Sequence, residues 1–204
     1  SPPGWTVWFR DGDVDFPHDP ANGDGWKQPE AHDTQATNPN RMRSGDKGFQ
    51  FFSFMGVHDG GLVQQMSIVT GTRVRLDGWA HAWSNLGRFG SEQPHDPAWS
   101  EGSHVGYDPF SALVGTPDLD SSDRNFVFWL GLDPTGGSHP DASTVIWGRG
   151  AHIYNDFAPV PPVTATAQGP TMTVFLRSRT LWRFEHNDAY WDDISLTVVP
   201  SSGP

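Results

Sequence analysis

The chain has 204 residues, among them 23 Gly, 18 Pro, 13 Phe, 10 Trp and no Cys, and a formal net charge of −11 at pH 7. That charge opposes nucleic acid, whose phosphates it would repel, and anionic membrane surfaces. The missing thiols exclude disulfides and cysteine-ligated zinc.

The length suits one β domain over 1–204, with linker-like ends at 1–4 and 200–204, expected of either a mature form or a module of a larger multidomain protein or assembly. Trp5–Arg10 (WTVWFR) reads as a short strand. Asp11-Gly12-Asp13-Val14-Asp15 begins like a calcium loop, but Phe16 stands where such a loop needs Gly and Asn22 where it needs Glu. An acidic turn or a less regular cation site are the alternatives. Residues 16–43 read as loop, punctuated by Pro17, Pro20, Pro29 and Pro39, and include Trp26. His-Asp recurs at His18, His32, His58 and His95 without His-x-His or His-x₃-His spacing, so loop and capping roles are expected in preference to zinc. Residues 48–55 (GFQFFSFM) carry aromatics on both parities, which predicts a central strand covered on both faces. Strands at 62–69 and 71–85 follow across short turns, which predicts a meander.

The 71–85 strand has two unlike faces. Val74, Leu76, Gly78, Ala80 and Ala82 share one parity; Arg75, Asp77, Trp79, His81 and Trp83 share the other. Either the indoles are core and the small residues face outward, or an outward face carries two indoles, an imidazole, a cation and a carboxylate. The second arrangement suits a sugar, because an aromatic face stacks on C–H bonds while Asp, His and Arg bond hydroxyls.

Residues 85–123 are again rich in Gly and Pro and carry Trp99, Tyr107 and Phe110, a candidate wall or lid. In 125–133, Phe126, Phe128, Leu130 and Leu132 form one face, with Asn125, Val127, Trp129 and Asp133 opposite. A short strand at 145–147 and a Pro-interrupted edge strand at 160–167 come next. In 171–178, Met172, Val174 and Leu176 point inward and Thr173, Phe175 and Arg177 outward. A last strand at 189–199 puts Ile194, Leu196 and Val198 on the core face. Nine or ten strands without a convincing helix predict an all-β fold, an antiparallel two-sheet β-sandwich (jelly roll) with long loops.

Tyr190-Trp191-Asp192-Asp193-Ile194-Ser195-Leu196 resembles the closing strand of jelly-roll carbohydrate-binding modules of the galactose-binding-like type. Residues 45–55, 61–68 and 71–83 resemble earlier strands of the same modules, in the same order, with Trp79 at a recurring Trp position. The resemblance implies a structural Ca²⁺ held by one residue of the Asp192-Asp193 pair, with strand parity favouring Asp192 on the core side beside Ile194. It also implies a first-strand acid. Arg10 stands at that position, so Asp11 or Asp13 would substitute.

The expected function is non-catalytic binding of a poly- or oligosaccharide by an extracellular or cell-surface protein. The outward residues Arg75, Asp77, Trp79, His81 and Trp83, with Asn125, Trp129, Phe175 and Arg177, would form one groove. Alternatively the site lies at the loop end, around Trp26, Trp99 and Tyr107. A structural or adhesive jelly roll, such as a virion decoration protein, would use the aromatic face as a protein interface. An enzyme is disfavoured: Glu occurs only at 30, 92, 101 and 185, and no Gly-x-Ser-x-Gly elbow is present.

Overall fold

Apolar and aromatic runs alternate with Gly, Pro and Asp punctuation, and the runs become strands because branched and aromatic side chains pack well on a pleated surface. A computed structural model of the chain describes residues 2–10, 27–35, 41–54, 56–84, 125–153, 156–180 and 186–200. The strands are β1 (Thr6–Phe9), β2 (Glu30–Gln35), β3 (Lys47–Phe54), β4 (Asp59–Ser67), β5 (Arg73–Ser84), β6 (Phe126–Asp133), β7 (Ile146–Trp147), β8 (Ala151–His152), β9 (Ala158–Thr166), β10 (Thr171–Thr180) and β11 (His186–Val198). They form an antiparallel β-sandwich. One sheet has the order β1-β4-β10-β6-β7, with β8 also on β6; the other has the order β2-β3-β11-β5-β9.

The expected meander is not formed. β3 and β5 lie in the five-stranded sheet and β4 lies in the other, so the chain crosses the sandwich at each turn. A hairpin and a crossing leave the same alternating pattern, since every strand shows its apolar parity to one shared core. Strand β2 falls inside the stretch read as loop. Its sequence, EAHDTQ, has little apolar content, as suits an edge strand with one partner. Strand β9 is the other edge of that sheet, and its prolines fit there because an edge strand has free N–H positions.

The core lies between the sheets. Val74, Leu76, Ala80 and Ala82 face Phe126, Phe128, Leu130, Leu132, Met172, Val174 and Leu176, all buried. The small residues of β5 leave room for Phe128 and Trp191, which meet edge to face with centroids 5.2 Å apart. At Gly78 a Cβ would lie 2.6 Å from Ile194 Cδ1, so any larger residue would have to displace the end of that side chain. His58 joins the sheets from within: Nδ1 lies 3.0 Å from Ser53 Oγ on β3, and Nε2 lies 3.0 Å from Ser178 Oγ on β10. Its burial pushes the imidazole pKa down to about 3, against the opposing charge of Asp59.

Two further expectations change. In β3, Phe49 and Phe51 are core, but Phe52 and Phe54 lie on the outer parity, where Phe54 is 46% exposed. In β11 the register shifts between Asp192 and Ser195, a bulge in which Asp193 takes a positive φ of 50°. Ala189 and Trp191 face the core before it, and Ile194 and Leu196 after it. The inserted residue reverses parity, so Asp192 shares the outward phase of Asp188 and Tyr190 and is not on the core side. Val198, expected in the core, is exposed.

Candidate functional site

Strand β5 keeps its small residues inside, which turns Arg75, Asp77, Trp79, His81 and Trp83 outward, as one of the two sequence readings expects. The pairing register then assembles rows across the outer face of the five-stranded sheet. Trp83 stands opposite Asp188, Asp188 opposite Phe52, and Phe52 opposite Glu30. The next row runs His81, Tyr190, Gln50, His32. In the third, Trp79 lies between Asp192 and Pro159. Directly opposed side chains on one face have Cβ atoms about 5 Å apart, so each row is a contact chain.

Two arginines reach this face from the segment that leads into β3. The Arg43 guanidinium lies 3.7 Å from the centroid of Trp79. The Arg41 guanidinium lies 5.1 Å from the centroids of both Trp83 and Tyr190. Arg41 Nη1 is 3.3 Å from His81 Nδ1 and 3.4 Å from Nε2, so it sits over the ring and not at one nitrogen. Around these groups His32 stacks on Phe52, Phe157 covers His81, and His186 meets Phe54 edge-on. His81, Tyr190 and Asp188 are 3%, 4% and 6% exposed, whereas Trp79, Trp83, Phe52 and Gln50 remain half-buried. The accessible part is therefore aromatic, over a buried polar floor.

Burial disfavours charge on that floor. Burial, then Arg41, pushes the His81 imidazole down to about 4, with Asp156 opposing. Burial raises the Asp188 carboxyl, held back by the Tyr190 hydroxyl and by the charges of His186 and Arg41. Tyr190 donates to Asp188 Oδ2 at 3.1 Å, and burial raises the phenol as well. Asp188 Oδ1 accepts no close hydrogen bond from the described residues, and the Gln50 side chain gives the carboxylate only a small stabilisation. Arg75 and Asp77 occupy each other at 2.8–2.9 Å in an exposed pair.

The other expected groove residues are elsewhere. Trp129, Phe175 and Arg177 project from the outer face of the six-stranded sheet, and Asn125 is buried against Asn187. They share no groove with Trp79 and Trp83. Trp129 is 2% exposed and Phe175 fully buried. A Cβ at Gly150 would lie 2.6 Å from Trp129 Nε1, so the chain passing over this sheet is pressed onto the indole. Arg177 is inserted between Trp129 and Trp147, 4.7 and 5.7 Å from their centroids. It holds Asp59 through two bonds of 2.7 and 2.6 Å, and Arg10 joins at 2.5 Å. Burial alone would raise the Asp59 carboxyl, but Arg177, Arg10 and Arg179 bring it below its ordinary value. This is a second, small core sealed by ion pairs, not an open surface.

The surroundings of Asp192 and Asp193 do not fit a calcium ion. Asp192 accepts the backbone N–H groups of Arg43, Ser44 and Asp193 at 2.8, 3.2 and 2.8 Å. Asp193 accepts the Ser44 hydroxyl at 2.5 Å and pairs with the Arg43 guanidinium. A divalent cation needs several free oxygens and no resident cation. These contacts instead pin the 41–46 segment to the β11 bulge. Among the described residues no group of three or more His, Asp or Glu side chains is placed to hold a metal. Asp11, Asp13, Trp26, Trp99 and Tyr107 lie outside the described residues.

Sequence reasoning missed Arg41, Arg43, Phe52, Gln50 and Asp188 as members of this face. The alternation of Asp188, Tyr190 and Asp192 was available as a signal, and so was the second parity of GFQFFSFM. Nothing local marks Arg41, because its place follows from a loop folding over a neighbouring strand.

No protein-family model matches the chain, and no curated protein matches it. Among solved structures it is similar to TmCBM61 in complex with beta-1,4-galactotriose, with 10% identity and a TM-score of 0.52 over 96% of this chain and 88% of that one. It is also similar to the N-terminal CBM22-1-CBM22-2 tandem domain of Paenibacillus barcinonensis Xyn10C, with 10% identity and a TM-score of 0.48 over all of this chain and 43% of that one. A third similar structure is the enzymatically active domain of bacteriophage CBA120 tailspike protein 4, with 7% identity, a TM-score of 0.48 and 20% of that chain covered. At these identities the likeness establishes the β-sandwich fold and nothing finer.

Proposed function

We propose that this chain is a non-catalytic glycan-binding module that holds a poly- or oligosaccharide on the outer face of its five-stranded sheet. One observation carries the reading. Trp79 and Trp83 stay half-exposed on one parity of β5, flanked by Phe52 and floored by buried polar groups. Outward positions on a strand repeat about every 7 Å, so two rings four residues apart meet different units of one sugar chain. Stacking on the rings supplies affinity, and Gln50, Asp188 and the arginines orient hydroxyls. The solved structure with the highest likeness quoted above is a carbohydrate-binding module whose ligand is beta-1,4-galactotriose, which supports the reading by fold analogy.

The test is retention on polysaccharide gels across a panel of plant, algal and bacterial glycans. Retention of the parent chain and its loss in the Trp79→Ala/Trp83→Ala double variant, with an unchanged melting temperature, is the expected result. Full retention by the double variant would move the site elsewhere. Release of reducing ends from any gel would make the chain an enzyme. A discrete oligomer that buries Trp79 and Trp83 and retains no glycan would favour the structural or adhesive reading.

A further inference from the structure

Among the described arginines, Arg10, Arg43, Arg75 and Arg177 each hold a carboxylate. Arg41 does not. Its contacts are the faces of Trp83 and Tyr190 and the neutral imidazole of His81. The chain has 24 acidic against 13 basic residues, so carboxylates are plentiful, yet among the described residues none stands within ion-pair distance of Arg41. Aromatic faces hold a guanidinium by cation–π attraction but leave its in-plane N–H edge undirected. That edge matches a planar oxyanion in a two-bond geometry that a lysine cannot reproduce. Arg41 is partly exposed and lies beside the half-exposed Trp83. A sugar stacked on that indole therefore brings its ring substituents within reach of the guanidinium.

We infer that the sugar bound over Trp83 carries an acidic group, a uronate carboxylate or a sulfate ester, and that Arg41 pairs with it. This rests on the glycan-binding reading and narrows it. The net charge of −11 repels such a chain at long range. Pairing at Arg41 acts at contact, well inside the ~8 Å Debye length of physiological salt. The expected partner is thus an acidic polysaccharide captured locally, and the charge balance read from composition alone does not decide the matter.

Two matched pairs of gels test this: polygalacturonate against its full methyl ester, and a sulfated galactan against its desulfated form. Charge is the main difference within each pair. The parent chain should prefer the charged member of one pair by roughly tenfold, which identifies carboxylate or sulfate as the source. Arg41→Gln should abolish the preference, and Arg41→Lys should restore only part of it, with melting temperatures confirming that each variant folds. Equal or tighter binding of the neutral members, or an acidic preference that survives Arg41→Gln, would overturn the inference and leave glycan binding standing. Retention on none of the gels here or in the wider panel would overturn both.

Discussion

The two outer faces of this sandwich are built from the same kinds of residue and do opposite things. On the six-stranded sheet Arg177 lies against Trp129 and Trp147, beside Trp8 and Phe175, and on the five-stranded sheet Arg41 lies against Trp83 and Tyr190 while Arg43 lies on Trp79. Both show tryptophans on an outer strand parity with a guanidinium on the rings. The difference lies in what else is there. On the first face the chain folds back over the sheet and Asp59 neutralises the arginines, so Trp8, Trp129 and Phe175 become a buried layer with Trp147 half-buried at its edge. On the second Trp79, Trp83 and Phe52 stay partly accessible, and Arg41 lies on rings with no ion pair among the described residues. Tryptophan on a strand's outer parity is therefore not a binding signal until the path of the covering loop is known.

The contrast predicts opposite phenotypes. Trp129→Ala should cost about 3–5 kcal/mol of stability in urea unfolding, as for a large residue removed from a packed core. Asp59→Asn should cost a similar amount, about 3–5 kcal/mol, because it leaves buried guanidiniums without their partner. A loss below about 1 kcal/mol in both would mean that this face is open after all. Trp83→Ala should leave stability within about 1–2 kcal/mol and weaken glycan binding by roughly 30-fold, the scale of a central aromatic contact.

The buried His58 sharpens the comparison between inside and outside. Its pKa is lowered on folding, so the stability it contributes is present above its ordinary value near 6.5 and is lost as the pH falls toward about 3. Over that window the slope is about 1.4 kcal/mol per pH unit, with His81 adding to it down to about pH 4. The melting temperature should fall steadily from pH 7 to pH 4.5, and His58→Gln should flatten part of the fall. A melting temperature as high at pH 4.5 as at pH 7 would contradict the buried, neutral imidazole.

Chelation gives a smaller effect. With the oxygens of Asp192 and Asp193 already bonded to the Arg43–Ser44 segment, EDTA should leave the melting temperature unmoved. A rise on adding Ca²⁺ that is lost in Asp192→Asn would restore the calcium expectation. Smallest of all, Arg75→Ala should change neither binding nor melting, since that pair is exposed and self-contained.

Much of the fold was legible because burial leaves a period-two trace. The split of β5 into small and large faces placed Val74, Leu76, Ala80 and Ala82 correctly, and the same held for Met172, Val174 and Leu176. The trace fails where the period breaks or where it is ambiguous. A single inserted residue in β11 turned Asp192 outward, and parity extended back from Ile194 through the bulge gave the wrong side. In β6 both parities are buried, and nothing in Phe126–Asp133 distinguishes the sandwich core from the layer beneath a loop. The site was half legible for a related reason. Trp79, His81 and Trp83 share one strand, whereas Phe52 and Asp188 join them only through pairing across β3 and β11, and Arg41 only through the segment that folds over them.

Following the indole N–H signals during titration with a retained oligosaccharide tests the central claim most directly. The open-face account predicts that Trp79 and Trp83 shift on binding while Trp129 and Trp147 stay fixed. Movement of Trp129 and Trp147 with Trp79 and Trp83 unchanged at saturation would contradict it.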